Sequence, residues 1–239
     1  MNTTKFNKKN VRVIAHRGLS GIEKENTNSA FVAAGNRSYY GIETDIRRTA
    51  DGRFIVCHDG SLARVAGEKI AVENVSLAVS QNVILFDKDG SKDRLDLRPC
   101  TLENYIGICK KYEKHAVLEL KSDFSIEETE RFINIVKDFD YLDDLTFISF
   151  SYENLVKVRE ILPHQSVQYL LSQLDEEVIS QAIAAKFDVD VQFSALTEEY
   201  VKRFHDHGLK VNCWTVDDPQ DAERLAEMGV DFITSNILE

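Results

Sequence analysis

Two acidic residues, Glu43 and Asp45, lie two positions apart in the stretch GIETDIRRTADGRFIVCHD (41–59). Side chains alternate between the two faces of a β-strand, so both carboxylates point to one face, roughly 6.5–7 Å apart along the strand. Two carboxylates on one face of an apolar strand are costly unless a cation lies between them. The pattern therefore indicates part of a metal site, and the same stretch ends close to a histidine, His58.

Other segments contain the groups that such a site needs. His16 and Arg17 follow the first predicted strand, and Glu119 and Lys121 form a second pair spaced two residues apart. Carboxylate oxygens are hard ligands that suit Mg²⁺ or Ca²⁺, and His16 and His58 are candidate proton carriers. Three carboxylates, a divalent metal and two fixed cations leave a small net positive charge. Such a site would accept a monoanion, and a phosphodiester is a monoanion.

The elements that must position these residues are eight strand-like segments, which alternate strictly with predicted helices from the third onward. In a chain of 239 residues, this pattern is typical of a (β/α)₈ TIM barrel, in which the C-terminal ends of the strands meet at one mouth. A doubly wound open sheet is the alternative, but HRGLSG (16–21) lacks the glycine fingerprint expected after its first strand. The predicted strands are 11–15, 41–46, 116–120, 145–149, 166–170, 188–192, 209–214 and 231–235.

The segment after the second strand predicts how His58 comes close to Glu43 and Asp45. A turn at Asp51-Gly52 is expected to bring His58 back over the barrel mouth. Residues from about 60 to 100 show only short segments of unclear order and are interpreted as a short insertion after the second strand. The chain stops soon after the eighth strand, so the C-terminal end is truncated and the last helix is absent or reduced to a turn. We expect one TIM-barrel domain over 1–239.

Composition excludes several classes of partner. The chain has 29 basic and 40 acidic residues and a formal charge of −11, which argues against nucleic-acid binding and against docking on an anionic membrane. No run approaches the roughly 18 apolar residues of a membrane span. The polar N-terminus predicts no signal peptide, and four cysteines without CxxC spacing predict a reducing, cytoplasmic setting. Composition gives no indication of the oligomeric state.

The chain resembles the glycerophosphodiester phosphodiesterase family from about residue 11 to 236, in the order and spacing of its motifs. Each motif alone is weakly specific, and the set in this order is much more so. The motifs are HRG (16–18), ENT (25–27), IETD (42–45), TADG (49–52), V-x-HD (56–59), L-x-R (62–64), TLE (101–103), LELK (118–121), WTV (214–216) and GVDFITSN (229–236).

This resemblance implies a TIM barrel, one divalent cation (usually Ca²⁺ or Mg²⁺), and hydrolysis of glycerophosphodiesters to sn-glycerol 3-phosphate and an alcohol. It thereby implies a place in lipid and glycerol metabolism and a small-molecule substrate. Carried over motif by motif, the implied roles are metal ligands for Glu43, Asp45 and Glu119, the acid–base pair for His16 and His58, phosphate binding for Arg17 and Lys121, and the pocket wall for Trp214.

Two positions depart from the family pattern. Lys24 replaces the usual proline before ENT, and Ser235-Asn236 replace the usual acidic residue near the C-terminal end. Neither change falls on an implied metal or acid–base position.

Two other functions fit parts of the pattern. One is a TIM-barrel metal-dependent lyase or isomerase, in which the histidines move protons at carbon. It is disfavoured by the HRG motif and by two basic residues beside the metal. The other is an inactive barrel kept as a binding module, which the intact set of site residues argues against. A His205-x-His207 pair ends a predicted helix and is interpreted as solvent-exposed.

Overall fold

The computed structural model describes residues 2–239 and contains eight parallel strands closed into a barrel. The strands in chain order are β1 (Arg12–Ala15), β2 (Gly41–Arg48), β3 (Phe54–Val56), β4 (His115–Leu120), β5 (Leu145–Ser149), β6 (Val167–Leu171), β7 (Asp188–Gln192), β8 (Val211–Trp214) and β9 (Phe232–Ser235). All except β3 belong to the barrel, and β1 pairs with both β2 and β9, which closes it. The predicted (β/α)₈ barrel is confirmed, and each predicted barrel strand lies within two residues of the observed bounds.

The helices are α1 (Asn28–Gly35), α2 (Ala63–Ala66), α3 (Leu77–Gln81), α4 (Leu102–Lys111), α5 (Ile126–Asp138), α6 (Tyr152–Ile161), α7 (Glu176–Ala185), α8 (Glu198–Asp206) and α9 (Pro219–Met228). Local sequence explains their bounds. Thr101 caps α4, and Ser125 with Glu128 forms a capping box at the start of α5. Gly229, with φ of 87°, ends α9 in the left-handed conformation that glycine adopts without strain.

The barrel interior contains both apolar and polar side chains. Five buried side chains form an apolar cluster inside the barrel: Ile14, Val117, Ile148, Leu170 and Phe232. Alternate residues of a strand face inward, so the next inward residues are Glu119 after Val117 and Thr234 after Phe232. Polar side chains such as Glu119 thus reach the C-terminal ends of the strands, where active sites of such barrels form.

The antiparallel hairpin of β2 and β3 carries the chain over this mouth. Ile46 pairs with Val56 and Arg48 with Phe54. Gly52 has φ of 71° in the turn, and Thr49 accepts a hydrogen bond from its backbone N–H at 2.9 Å. The turn predicted at Asp51-Gly52 is thus confirmed, and β3 leads directly to His58.

The segment between β3 and α4 forms a small apolar cluster of its own. Leu62, Val65 and Leu77 from the α2–α3 region pack with Ile55 and Cys57. The segment contains α2, α3 and a short 3₁₀ turn but no strand. It therefore lies beside the end of the hairpin and is held there by apolar contacts.

No helix follows β9 in the part of the chain from residue 2 to 239. Instead the two ends of the chain pair: Thr4 bridges to Leu238, and Leu238 is fully buried. Glu239 accepts hydrogen bonds from Ser38, just before β2, while the Asn7 amide bonds Glu223 on α9. The paired terminal segments thus contact α9 on one side and the residue Ser38, just before β2, on the other. None of the described helices has both the length and the apolar composition of a membrane span.

Candidate active site

Three buried carboxylates lie at the barrel mouth. Glu43 and Asp45 project from β2, and Asp45 is in register with Glu119 on β4. They are 3%, 0% and 8% exposed, and one oxygen of each lies within 4.8 Å of the others. Across residues 2–239 this is the one group of three potential ligands with such geometry. The structure therefore brings together the three residues whose grouping the sequence predicted.

The electrostatics of this cluster fit a divalent cation. Burial, with the charges of Asp45 and Glu119, raises the pKa of Glu43 well above its usual range. Burial and the Asp45 charge also raise the pKa of Glu119 to about 8. Asp45 Oδ1 is buried and accepts no hydrogen bond from any described residue. Clustered carboxylates that are costly to ionise, with an unpartnered oxygen, fit a hard cation such as Ca²⁺ or Mg²⁺.

Asp45 is the member of the cluster that the protein keeps charged. Burial opposes ionisation, but the nearby charges of Arg17 and His58 lower the pKa of Asp45. Its Oδ2 accepts a 2.8 Å hydrogen bond from Asn26 Nδ2, and Asn26 Oδ1 in turn accepts one from Thr44. The Asn26 amide is therefore held from both ends, and it fixes the Asp45 carboxylate in position.

Arg17 is positioned by its backbone as well as by its side chain. Its φ of 54° turns the chain at the end of β1, and its backbone N–H donates to Glu43 Oε2 at 2.7 Å. The guanidinium lies between Glu25, at 2.9 Å, and Asp45, at 3.5 Å. Gly18 follows with φ of 75°, and a Cβ there would lie 2.7 Å from Ala30. The HRG motif therefore has a steric reason for its glycine.

His16 is oriented through its Nδ1 atom. Nδ1 lies 2.8 Å from Asn236 Oδ1, which also accepts a bond from Ser20 Oγ. Asn236 Nδ2 donates to Asp217 Oδ2 at 2.6 Å, which fixes the orientation of the amide. His16 Nδ1 therefore carries the hydrogen, and Nε2 faces Glu43 Oε2 at 4.0 Å. Burial and the Arg17 charge lower the pKa of His16. Asn236 stands where the family usually has an acidic residue. The Asp217 carboxylate contacts the side-chain amide of Asn236 and so lies behind it as seen from His16.

His58 is linked to Arg17 by a continuous chain of charged contacts. Its Nδ1 lies 2.7 Å from Asp59 Oδ1, and Arg64 Nε donates to Asp59 Oδ2 at 2.7 Å. Arg64 also donates twice to Glu25, at 2.8 and 2.9 Å, and Glu25 contacts Arg17. Burial opposes ionisation of Glu25, yet these hydrogen bonds and charges lower its pKa to about 2. The loop after β1 and the hairpin are therefore fastened together beside the carboxylate cluster.

Lys121 and Trp214 complete the set of predicted residues. Lys121 Nζ lies 2.9 Å from Glu119 Oε1 and 3.9 Å from Asp45 Oδ1, so it also pairs with the carboxylate cluster. Trp214 packs edge-to-face on Phe150, with ring centroids 5.7 Å apart. Seven of the eight predicted residues line one pocket of about 200 Å³, and Asp45 lies directly behind its wall.

Sequence reasoning missed two features of the site. Arg64 was part of a motif without an assigned role, although its contacts join the loop after β1 to the segment after β3. Asp190, on β7, lines the pocket and is 1% exposed. The available signal was the alternation of Asp188 and Asp190 in a strand whose other residues are largely apolar.

The groups interpreted as outside the site lie elsewhere. His205 Nε2 contacts Asp231 at 2.9 Å, and His207 Nδ1 contacts the Arg203 carbonyl at 2.8 Å, so the pair does not converge. Cys57 packs in the small apolar cluster, and burial raises the pKa of its thiol to about 12.

Comparisons with known proteins agree with this geometry. The family model described as "Glycerophosphoryl diester phosphodiesterase family" matches residues 16–238. A glycerophosphodiester phosphodiesterase of Caldanaerobacter subterraneus is 28% identical over 94% of this chain and 93% of the relative. Among solved structures, an Oleispira antarctica phosphodiesterase in complex with the product sn-glycerol-3-phosphate has a TM-score of 0.87 and 25% identity, covering 95% of this chain and 93% of that one. A putative glycerophosphoryl diester phosphodiesterase of Silicibacter pomeroyi has a TM-score of 0.85 and 26% identity, covering 95% and 90%.

Proposed function

We propose that this chain, which belongs to the glycerophosphoryl diester phosphodiesterase family, hydrolyses glycerophosphodiesters to sn-glycerol 3-phosphate and an alcohol. The observation that carries the proposal is one pocket in which three clustered carboxylates, two histidines and two cations meet. The product complex of the Oleispira antarctica phosphodiesterase supports the same choice of substrate class. A phosphodiester bears a single negative charge, which Arg17 and Lys121 would hold at the mouth.

Glu43, Asp45 and Glu119 would hold the divalent cation, Ca²⁺ or Mg²⁺. When bound, the cation supplies charge stabilisation at the phosphoryl oxygens. The fit rests on the donor set, since all three ligands are carboxylates and Asp45 Oδ1 accepts no hydrogen bond from residues 2–239. Arg17 remains beside the cluster, where its backbone N–H orients Glu43.

His16 and His58 would move the protons. One imidazole takes the proton of the attacking hydroxyl at Nε2 as the new P–O bond forms. The other gives a proton to the leaving alkoxide oxygen as the old P–O bond breaks. Asn236 and Asp59 occupy the two Nδ1 atoms, which leaves both Nε2 atoms for this exchange. The attacking group is either the neighbouring glycerol hydroxyl, which gives a cyclic phosphate that water opens, or water itself.

An activity assay tests the proposed function. The protein is incubated with glycerophosphoethanolamine, glycerophosphocholine and glycerophosphoglycerol, each with Ca²⁺, with Mg²⁺ and with chelator, and released glycerol 3-phosphate is measured. We expect turnover of at least one diester with metal and loss of turnover with chelator, restored by adding the ion back. The absence of turnover on all three diesters with both metals would overturn the proposal.

A binding measurement tests the metal site without using activity. Calorimetric titration of the Glu119→Gln variant with Ca²⁺ and Mg²⁺ should show at least ~10-fold weaker binding, because one of three charged ligands is lost. Glu160→Gln, at an exposed position of α6, is the matched control and should bind like the wild type. Equal affinity in the wild type and Glu119→Gln would remove Glu119 from the ligand set.

We also infer a reducing, cytoplasmic setting from the cysteines. Cys57, Cys100, Cys109 and Cys213 are all buried and unpaired. Persistent disulfides are typical of oxidising compartments, so four buried thiols fit a reducing one.

A further inference from the structure

Asp190 is a buried carboxyl group that the proposed chemistry does not use. It lies on β7 and lines the same pocket as the metal cluster. In the closed barrel β7 is four strands from β2 in either direction, so Asp190 faces the mouth from the side opposite Glu43 and Asp45. A substrate whose phosphate is held at the β2 side would therefore extend one arm toward Asp190.

No protein group compensates this carboxyl. Asp190 is 1% exposed, its Oδ1 is buried without a hydrogen-bond partner, and no lysine, arginine or histidine of the described chain forms an ion pair with it. Burial and the charge of Glu119 raise its pKa well above the usual range. A buried carboxyl with an unpartnered oxygen is costly, so its presence in a pocket points to a partner supplied by the ligand.

The surroundings of Asp190 suit an alkyl-ammonium group. Leu170 and Ile148 supply aliphatic surface in the pocket, and Trp214 stands over it with its Nε1 bonded to the Asp190 carbonyl at 3.2 Å. Methylene groups would pack on these side chains while a positive charge meets the carboxylate. Such a pairing removes the penalty that Asp190 has in the free protein.

The type of ammonium follows from the same contacts. Asp190 Oδ1 lacks a donor, and a primary ammonium has three N–H donors while a trimethylammonium has none. Trimethylammonium groups are usually held by aromatic faces. Here Lys121 Nζ already lies over the Phe150 ring, 5.7 Å from its centroid. The pocket is therefore better suited to a primary ammonium.

We propose that Asp190 is a specificity-determining residue that binds a primary ammonium on the alcohol arm of the substrate, so that the preferred diester carries an ethanolamine-type headgroup. This inference rests on the proposed phosphodiesterase function and names the substrate class of the same pocket.

The test measures a selectivity ratio, kcat/KM on glycerophosphoethanolamine divided by kcat/KM on the uncharged glycerophosphoglycerol. Asp190→Asn keeps the shape of the side chain and removes its charge. We expect the ratio to fall at least ~10-fold, because a pocket that loses its polar contact with the ammonium no longer distinguishes the two diesters. Asp188→Asn is the matched control on the same strand. Asp188 lies outside the pocket and accepts a bond from the Lys210 amide, so the ratio should not change.

A substrate series on the wild type makes the test independent of how the variant folds. N-acetylated glycerophosphoethanolamine has the same arm without the charge, and it should be turned over at least ~10-fold less efficiently than the parent compound. Equal efficiency on both compounds, or an unchanged ratio in folded Asp190→Asn, would overturn the inference while turnover itself sustains the phosphodiesterase proposal. Lack of turnover on every diester would instead refute the proposed function.

Discussion

At the scale of single residues, position in the fold gives three carboxylates of similar chemistry different properties. Glu43 and Glu119 have raised pKa values because burial and mutual repulsion disfavour their charges. Asp45 has a lowered pKa because, despite its burial, Arg17 and His58 favour its charge. The cluster thus combines one carboxyl whose surroundings favour its charge with two whose surroundings disfavour theirs. The two histidines likewise differ in their Nδ1 partners, an amide for His16 and a carboxylate for His58.

The residue-scale prediction concerns the proton carriers. His16→Ala and His58→Ala should each lower kcat by at least ~10²-fold, because each removes a positioned acid–base group. Steady-state kinetics on a turned-over diester measures the loss, and far-ultraviolet circular dichroism confirms that the fold is retained. His207→Ala is the control, since His207 lies on the helix side of the barrel and bonds only the Arg203 carbonyl. Unchanged kcat in a folded His16 or His58 variant would remove that residue from the mechanism.

At the scale of elements, the site depends on the short helix α2 as much as on the barrel strands. The β2–β3 hairpin supplies Glu43, Asp45 and His58, while the loop after β1 supplies Arg17. Arg64 on α2 joins the two through Asp59 and Glu25. Because its side chain is half exposed, its ion pairs contribute little to global stability. Their effect is to hold the loop after β1 and the end of the hairpin in a fixed relative position.

The element-scale prediction follows from the contacts of Arg64 with Asp59 and Glu25. Arg64→Met should lower kcat/KM at least ~10-fold, because small misplacements of site residues reduce rates strongly. Arg64→Lys should recover only part of the loss, since lysine cannot bridge two carboxylates with a planar fork. Arg203→Met is the matched control, because Arg203 makes a two-bond contact with Glu176 between α7 and α8.

The control variant should retain wild-type kinetics. Equal activity in Arg64→Met and Arg203→Met would show that the contacts of Arg64 do not position the site.

At the scale of the whole molecule, the segment before β1 and the residues after β9 pair beside the closed barrel. Glu239 bonds Thr3 Oγ1 at 2.6 Å and both the amide and the hydroxyl of Ser38. Burial opposes its ionisation, but these hydrogen bonds and Lys5 lower its pKa to about 2. The folded state therefore favours charged Glu239, and this contact lies at the end of the barrel opposite the candidate site.

The whole-molecule prediction is a pH-dependent loss of stability. Glu239→Gln should reduce the unfolding free energy by about 2 kcal/mol at pH 7, the scale of hydrogen bonds to a charged group. A carboxyl with a depressed folded-state pKa stabilises fully above its unfolded pKa, near 4.5, and ceases to do so as pH falls toward 2. The difference between wild type and variant should therefore shrink over that interval.

Urea unfolding at pH 7, 4.5 and 3 measures this difference, with exposed Glu160→Gln as the control. A difference that stays constant across the three pH values would show that the Glu239 charge does not carry the stabilisation. Activity at pH 7 should be unchanged in both variants.

The sequence by itself determined the barrel and most of the candidate site. Alternating strand and helix patterns are local, so each barrel strand was predicted to within two residues. The parallel strands of a barrel end at one mouth, so side chains following different strands had to converge there. For Glu43, Asp45 and Glu119 this convergence needed no knowledge of loops.

Only the tertiary structure decided which charges have partners. Arg64 contacts Glu25 across 39 residues, and Asn236 contacts His16 across 220. Asp190 is notable because no cation of residues 2–239 pairs with it, which no local pattern reveals. Pairing depends on distances between segments far apart in the chain, whereas strand and helix periodicity depends on neighbours. For that physical reason the sequence predicted where the site lies, and the fold decided how its residues are held and which carboxyl is left for a ligand.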